Sequence, residues 1–308
     1  MALKLGSTLV IALGGNALLQ RGQMADSTAQ RVNIARAAAS IAPLLDKYRV
    51  IITHGNGPQV GLLAAQSGDS GWPLDVLGAE SEGMIGYVIE QELANRAPRR
   101  SFATLLSQVV VDRSDPAFNT PTKPIGLVLS DRELLTKQGW QSVADGEGWR
   151  RVVASPTPIA ILNLAAIKIL VASDISVICL GGGGIPVVLD KGGQARGIEA
   201  VIDKDAASAL LVKELAADAL IMLTDVDGIM TDFGTDHARV IPRTTPQALA
   251  SLEFAPGTMG PKVSAAISVA QSGKVAMIGA LSALDEILAG EAGTWVQNAA
   301  SMSSKSAS

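Results

Sequence analysis

The chain has 308 residues, of which 48 % are hydrophobic and 18 % charged, with 31 glycines and a formal net charge of −4. That balance suits a compact α/β enzyme burying roughly three quarters of its unfolded surface, and excludes a disordered or coiled-coil chain. No long basic block offers a nucleic-acid surface, and Lys168 and Asp174 interrupt the apolar run that comes nearest to membrane-spanning length.

The amino terminus leads directly into a strand without the architecture of a signal peptide, so a soluble, cytoplasmic protein is expected. Leu9 to Leu13 is the first predicted strand, stopped by Gly14-Gly15-Asn16. Ser27 or Thr28 opens a helix that runs to about Leu45. A second strand, Val50 to Thr53, enters His54-Gly55-Asn56-Gly57-Pro58, and Pro58 suits the start of the next helix. Ile85, Val88, Ile89 and Leu93 mark one stripe of a helix ending near Arg96. Phe102 to Val111 reads as a single strand. From Asp112 to about Val153 the rhythm breaks: Pro116, Pro121, Pro124, Trp140 and Trp149 stand in a stretch with little periodicity. A structureless connection of that length is improbable, so residues 112–153 are expected to form a small inserted subdomain. A helix over about 159–173, a strand Ser176 to Leu180 and a helix over 205–216 follow. Strands Ala219 to Thr224 and Val275 to Gly279, with helices at 261–272 and 282–289, complete a main domain of residues 1–297. Residues 298–308 are Ser- and Ala-rich and read as a disordered tail. Alternating strands and helices predict a mostly parallel sheet covered on both faces, with ligands at the carboxyl ends of its strands.

The chemistry converges on Val177 to Asp205. A short β-rich run containing the only cysteine, Cys179, ends in Gly181-Gly182-Gly183-Gly184. The cysteine has no partner for a disulfide within the chain and reads as a small buried hydrophobe. Glycines at a strand end let backbone N–H groups close on an anion, although a plain turn fits the same residues. Asp203 or Asp205 caps the next helix, and Lys204 stands in its first turn, where the macrodipole disfavours a cation. Lys262, after Met259-Gly260-Pro261, repeats that conflict, and two such lysines favour a polyphosphate ligand over solvated surface charges. Gly14, Gly15 and Asn16, with Gly55, Asn56 and Gly57, fit a phosphate or carboxylate cradle. His54 is a candidate base or ligand, but a hydrogen-bonded structural role suits a lone histidine better. With only His54, His237 and Cys179, no His/Cys metal site is expected. The carboxylates of Asp225 and Asp227 face a ribose, face a metal shell, or cap a turn. Asp232-Phe233-Gly234 imitates a protein-kinase triplet with no matching catalytic loop before it, and is taken as coincidence.

Together these segments resemble the carbamate kinase family of the amino acid kinase superfamily. The resemblance rests on Ala12-Leu-Gly-Gly-Asn16, His54 to Gly61, Pro73 to Glu80, Glu82 to Gly86, Asp115-Pro-Ala-Phe118, Pro121 to Gly126, Gly181 to Pro186, Val201 to Asp205, Met259 to Lys262 and Gly290 to Thr294. It implies a three-layer α/β/α sandwich with a mostly parallel central sheet and a small protruding subdomain, a homodimer, and reversible phosphoryl transfer between ATP and carbamate. It further implies that Lys123, Lys204 and Lys262 contact phosphoryl groups, with Gly14, Gly15, Gly55 and Gly57 on the small-substrate side. Gly182, Gly183, Asp225, Met259 and Gly260 are assigned to the adenine nucleotide. Asp203 is expected to orient Lys204 and Lys262, and Mg²⁺ to be held mainly through nucleotide oxygens, with no dedicated metal ligands. Two departures stand out: Ala12 occupies a position where many superfamily relatives carry a lysine, and the tail after Thr294 is longer than the family pattern needs. Another small-acid or phosphate kinase of the superfamily, or a nucleotide-binding protein without turnover, are the alternative readings.

Overall fold

The strand β1 (Thr8–Leu13) lies in the middle of an eight-stranded sheet, buried on both faces, which accounts for its unbroken apolar sequence. The computed structural model to which it belongs describes residues 3–18, 23, 26–67, 71–252, 254 and 259–299. After β1 come α1 (Gly15–Leu18), α2 (Ser27–Ile41), β2 (Arg49–His54), α3 (Gly57–Ser67) and α4 (Leu74–Arg96). Next are β3 (Phe102–Thr104), β4 (Gln108–Val111), β5 (Lys123–Leu129), α5 (Arg132–Lys137), β6 (Ser142–Asp145) and β7 (Gly148–Val153). β8 (Pro158–Ile161), α6 (Leu164–Ala172), β9 (Ser176–Ile178), β10 (Ile185–Leu189) and β11 (Ala195–Gly197) lead to α7 (Lys204–Leu215) and β12 (Ala219–Thr224). The short strands β13 (Met230–Thr231), β14 (Arg239–Val240) and β15 (Arg243–Thr244) precede α8 (Pro246–Ala250), α9 (Met259–Gln271), β16 (Val275–Ala280), α10 (Leu284–Ala289) and β17 (Thr294–Val296).

The large sheet has the order β15-β17-β16-β12-β1-β2-β9-β3, and every neighbouring pair is parallel except β16 with β17. Side chains alternate across it with period two. Leu9, Ile11 and Leu13 join Ile34 of α2, Ile89 of α4 and Ile287 of α10 on one face. Val10 and Ala12 join Leu211 of α7 and Val269 of α9 on the other. Sheet and two helical layers make the expected three-layer α/β/α sandwich. Among the described residues no helix is long and apolar enough to cross a membrane.

The expected single strand Phe102 to Val111 is two strands in two sheets. β3 ends the large sheet, whereas β4 pairs with β10 and β8 in a second sheet of order β11-β10-β4-β8. The chain crosses between them at 105–107, where the Ser107 N–H leaves the ladder to donate to Glu82. The helix expected from about 159 begins only at Leu164, because Pro158 to Ile161 pairs with β4. Asp26, one residue ahead of the expected cap, closes α2 by accepting from Ala29 N at 2.8 Å.

Residues 112–153 contain a three-stranded antiparallel sheet, β5-β7-β6, and the short helix α5. Both tryptophans of this stretch carry a guanidinium: Arg132 lies 4.4 Å over Trp149 and Arg151 4.1 Å over Trp140. β5 lies against α3 so closely that a Cβ on Gly61 would strike the Gly126 backbone. Residues 300–308 of the expected tail lie outside the described residues.

Candidate active site

The amino end of α7 gathers three lysines and two aspartates. Asp203, in extended backbone, is the N-cap: its Oδ1 accepts from Asp205 N at 2.9 Å and Ala206 N at 3.2 Å. Its Oδ2 takes the Lys123 ammonium from β5 at 2.9 Å. Lys204 and Lys262 do not pair with Asp203, as the sequence suggested. They share Asp205 instead, with Lys204 Nζ 2.9 Å from Oδ1 and Lys262 Nζ 2.9 Å from Oδ2. The reason is directional. The capping carboxylate must turn back over its own helix end and so faces β5, while the residue two positions on points inward toward α9.

These three side chains are 10 %, 8 % and 5 % exposed for Lys204, Lys262 and Asp205. Burial pushes the Asp205 carboxyl up, but the two ammonium groups outweigh it and hold it at about 2. Burial likewise pulls Lys204 below the usual lysine range, with Asp205 opposing. Two cations and one anion leave a buried surplus of one positive charge. The amino ends of α7 and α9 add their own positive potential there. The first turn of α7 is held from below: Ser208 Oγ donates to Lys204 O at 2.7 Å, so Thr53 of β2, 2.7 Å away, donates to Ser208.

The glycine loops divide into structural and open positions. Gly14 N–H donates to Leu223 O and Gly55 N–H to Leu13 O, each at 3.1 Å, so both extend the sheet ladder rather than point into free space. A Cβ on Gly14 would lie 2.6 Å from Leu223 O. Gly15 and Gly57 open α1 and α3, where a first N–H has no partner within the helix, and the space at their Cβ positions is empty. Asn16 begins the same turn, but its side chain lies outside what is described. Asn56, between Gly55 and Gly57, is buried and donates through Nδ2 to Ser81 Oγ at 2.8 Å. Gly182 and Gly183, at φ 65° and 97°, pack on the Asn56 amide and the Ile202 carbonyl, beside the loops of β1 and β2. Asp225 is exposed at the end of β12, and half-buried Met259 and Gly260 start α9 less than one turn ahead of Lys262. Among the described residues no three His, Cys, Asp or Glu side chains gather as a metal site.

Beneath the site lies a polar cluster that composition and spacing did not reveal. Glu82 of α4 is 1 % exposed and accepts from Gly181 N at 2.8 Å and Ser107 N at 3.1 Å, tying the glycine turn to the crossing between the two sheets. Burial outweighs these bonds and raises its carboxyl to about 7. His54 is fully buried; Nδ1–H donates to Gly55 O at 3.0 Å, Nε2 has no partner, and burial lowers its pKa to about 4. It is therefore neutral at pH 7 and a weak base, in keeping with a structural role. Cys179 is buried and its thiol is pushed far above the usual range by burial and by Glu82.

The two shifts have opposite consequences for stability. Glu82 holds its proton more tightly folded than unfolded, so its contribution is full below about 4.5 and is lost as pH rises to about 7. His54 contributes above about 6.5 and loses it as pH falls to about 4. Denaturant unfolding at pH 5 and pH 7.5 should show Glu82→Gln less stable than wild type at pH 5, with the gap narrowing by up to roughly 3 kcal/mol at pH 7.5. His54 is common to both proteins and cancels in the difference. A constant gap would mean that Glu82 is ionised throughout.

The chain matches the amino acid kinase family over residues 7–279. The carbamate kinase of Haemophilus influenzae is 50 % identical over 295 residues, covering 93 % of this chain and 95 % of its own. That of Escherichia coli K12 is 48 % identical over 299 residues, covering 94 % and 99 %. The structure of carbamate kinase from Giardia lamblia bound to AMP-PNP superposes with a TM-score of 0.88 at 39 % identity, covering 95 % of this chain and 99 % of that one. With matches that run nearly end to end on both sides, the chain belongs to the amino acid kinase family and, within it, to the carbamate kinases.

Proposed function

We propose that this chain transfers a phosphoryl group reversibly between ATP and carbamate, forming ATP from ADP and carbamoyl phosphate in the catabolic direction. The observation that carries the reading is the buried surplus of positive charge where Lys204 and Lys262 share Asp205. A protein stabilises such a charge poorly by itself, and a transferring phosphoryl group supplies the missing negative charge in its transition state. Phosphoryl transfer asks mainly for positioning and neutralisation. Carbamate is an anion with a nucleophilic oxygen and needs no general base, which agrees with a His54 that burial makes only weakly basic.

In this scheme Lys204 and Lys262 face the transferring group from the sheet side, and Lys123, presented by β5 and held by Asp203, faces it from the subdomain. The open amides of Gly15 and Gly57 serve the small substrate. The nucleotide lies toward Asp225, Met259 and Gly260, and Mg²⁺ is carried mainly by nucleotide oxygens. Exposed Met84, Tyr87, Leu106, Ile159 and Leu162 give a homodimer its apolar contact.

The test is ATP formation from ADP and carbamoyl phosphate with Mg²⁺, read by a coupled assay. Turnover above a heat-inactivated control is expected, and its absence in a folded sample would overturn the proposal. Much faster turnover with an amino-acid acyl phosphate would move the substrate while leaving the reaction class in place.

A further inference from the structure

The orientation of the Asn56 amide is fixed by counting protons. Ser81 Oγ lies 2.7 Å from Gly78 O, and a carbonyl only accepts, so the single hydroxyl proton is committed there. Toward Asn56, 2.8 Å away, Ser81 Oγ is left as an acceptor. The Asn56 NH₂ must therefore face Ser81, and Oδ1 must face the other way. Gly182 packs flat on the amide, where any Cβ would collide with it. Asn56 is only 6 % exposed, yet among the described residues Oδ1 has no donor to match the Ser81 contact of its Nδ2.

A fixed acceptor thus belongs to the residue between Gly55 and Gly57, in the loop expected to take the small substrate. Phosphoryl and carboxylate oxygens bring only acceptors, and Oδ1 repels them. What it recognises is an N–H. In carbamoyl phosphate the NH₂ is the only donor that does not depend on protonating an oxygen. We infer that Asn56 Oδ1 accepts a hydrogen bond from the carbamoyl amine, and that Ser81, by holding the amide, is the positioning residue for this contact. The pair would discriminate carbamoyl phosphate from acyl phosphates of the same shape that lack the N–H. Asn56 then serves the carbamoyl amine rather than the phosphate or carboxylate oxygens that the sequence offered it. The inference rests on the proposed function and names the residue that sets its substrate choice.

The test compares kcat/KM for carbamoyl phosphate and acetyl phosphate, which exchange NH₂ for CH₃, in wild type, Asn56→Ala and Ser81→Ala. A site built around a substrate N–H rejects the analogue lacking it strongly, so wild type should prefer carbamoyl phosphate by at least about 100-fold. Asn56→Ala should reduce that preference by about 100-fold, and Ser81→Ala, which frees the amide to flip, by about tenfold. If each variant slows both substrates by the same factor, Asn56 does not read the amine. If Asn56→Ala does not fold, an unchanged preference in Ser81→Ala overturns the inference alone. Equal use of both phosphates by wild type also overturns it, while leaving phosphoryl transfer intact. Failure of wild type to use either phosphate instead removes the proposed function, and this inference with it.

Discussion

Replacing Lys204 or Lys262 with methionine is expected to lower turnover roughly 100- to 1,000-fold, the usual loss when one group aimed at developing charge is removed. Methionine keeps the apolar stem that fills the buried site and deletes only the ammonium. Stability should hardly change. Asp205 keeps one cation in either variant, and the surplus charge of the triad disappears. Steady-state rates and calorimetric melting, taken together, separate the two roles. A wild-type rate would remove that lysine from the mechanism, and a melting temperature lowered by more than about 5 °C would make the ammonium structural. Lys123 belongs to the same comparison with a different signature. Its pair with Asp203 is 35 % and 22 % exposed, so water screens it and stability depends little on it. Lys123→Ala should lower kcat while ADP affinity by titration calorimetry stays near that of wild type, because the proposed nucleotide position lies on the opposite half.

Asp205→Asn is expected to be the most destabilising single change at the site, by about 3–5 kcal/mol, since it strands two buried ammonium groups. Denaturant midpoints measure this directly. Sulfate, a doubly charged anion of phosphate shape, should recover more stability in Asp205→Asn than in wild type, because it restores the counter-charge that the variant lacks. Equal sulfate effects would show that the anion binds elsewhere. Acid provides a second check. Asp205 titrates lower when folded than unfolded, so its contribution stands above about pH 4 and is lost as pH falls toward about 2. Wild type should show that loss, and the asparagine variant should not.

Much of this was legible in the residues themselves. Apolar runs marked β1, β2, β12 and β16, the first two stopped by glycine, because a strand buried on both faces must be apolar throughout. Two lysines in first turns of helices were odd enough to point to an anion before any geometry was known. The strands of the second sheet were not legible. β4 continues the apolar run of β3, and only pairing with β10 and β8 separates the two.

Local sequence narrowed the cap of α7 to Asp203 or Asp205, since a capping carboxylate needs only the N–H groups two and three positions on; the structure places Asp203 there. Local sequence could not say which lysine meets which aspartate. Lys123, Asp203, Asp205 and Lys262 are separated by up to 139 positions (262 − 123), and their pairing depends on how β5 and α9 pack around the amino end of α7. The buried partners Glu82, Ser81 and Ser208 are the clearest case. A glutamate or serine on a helix is by default a surface residue. Only the tertiary structure, by burying each beside N–H, hydroxyl or carbonyl groups that must be satisfied, turned them into supports of the site.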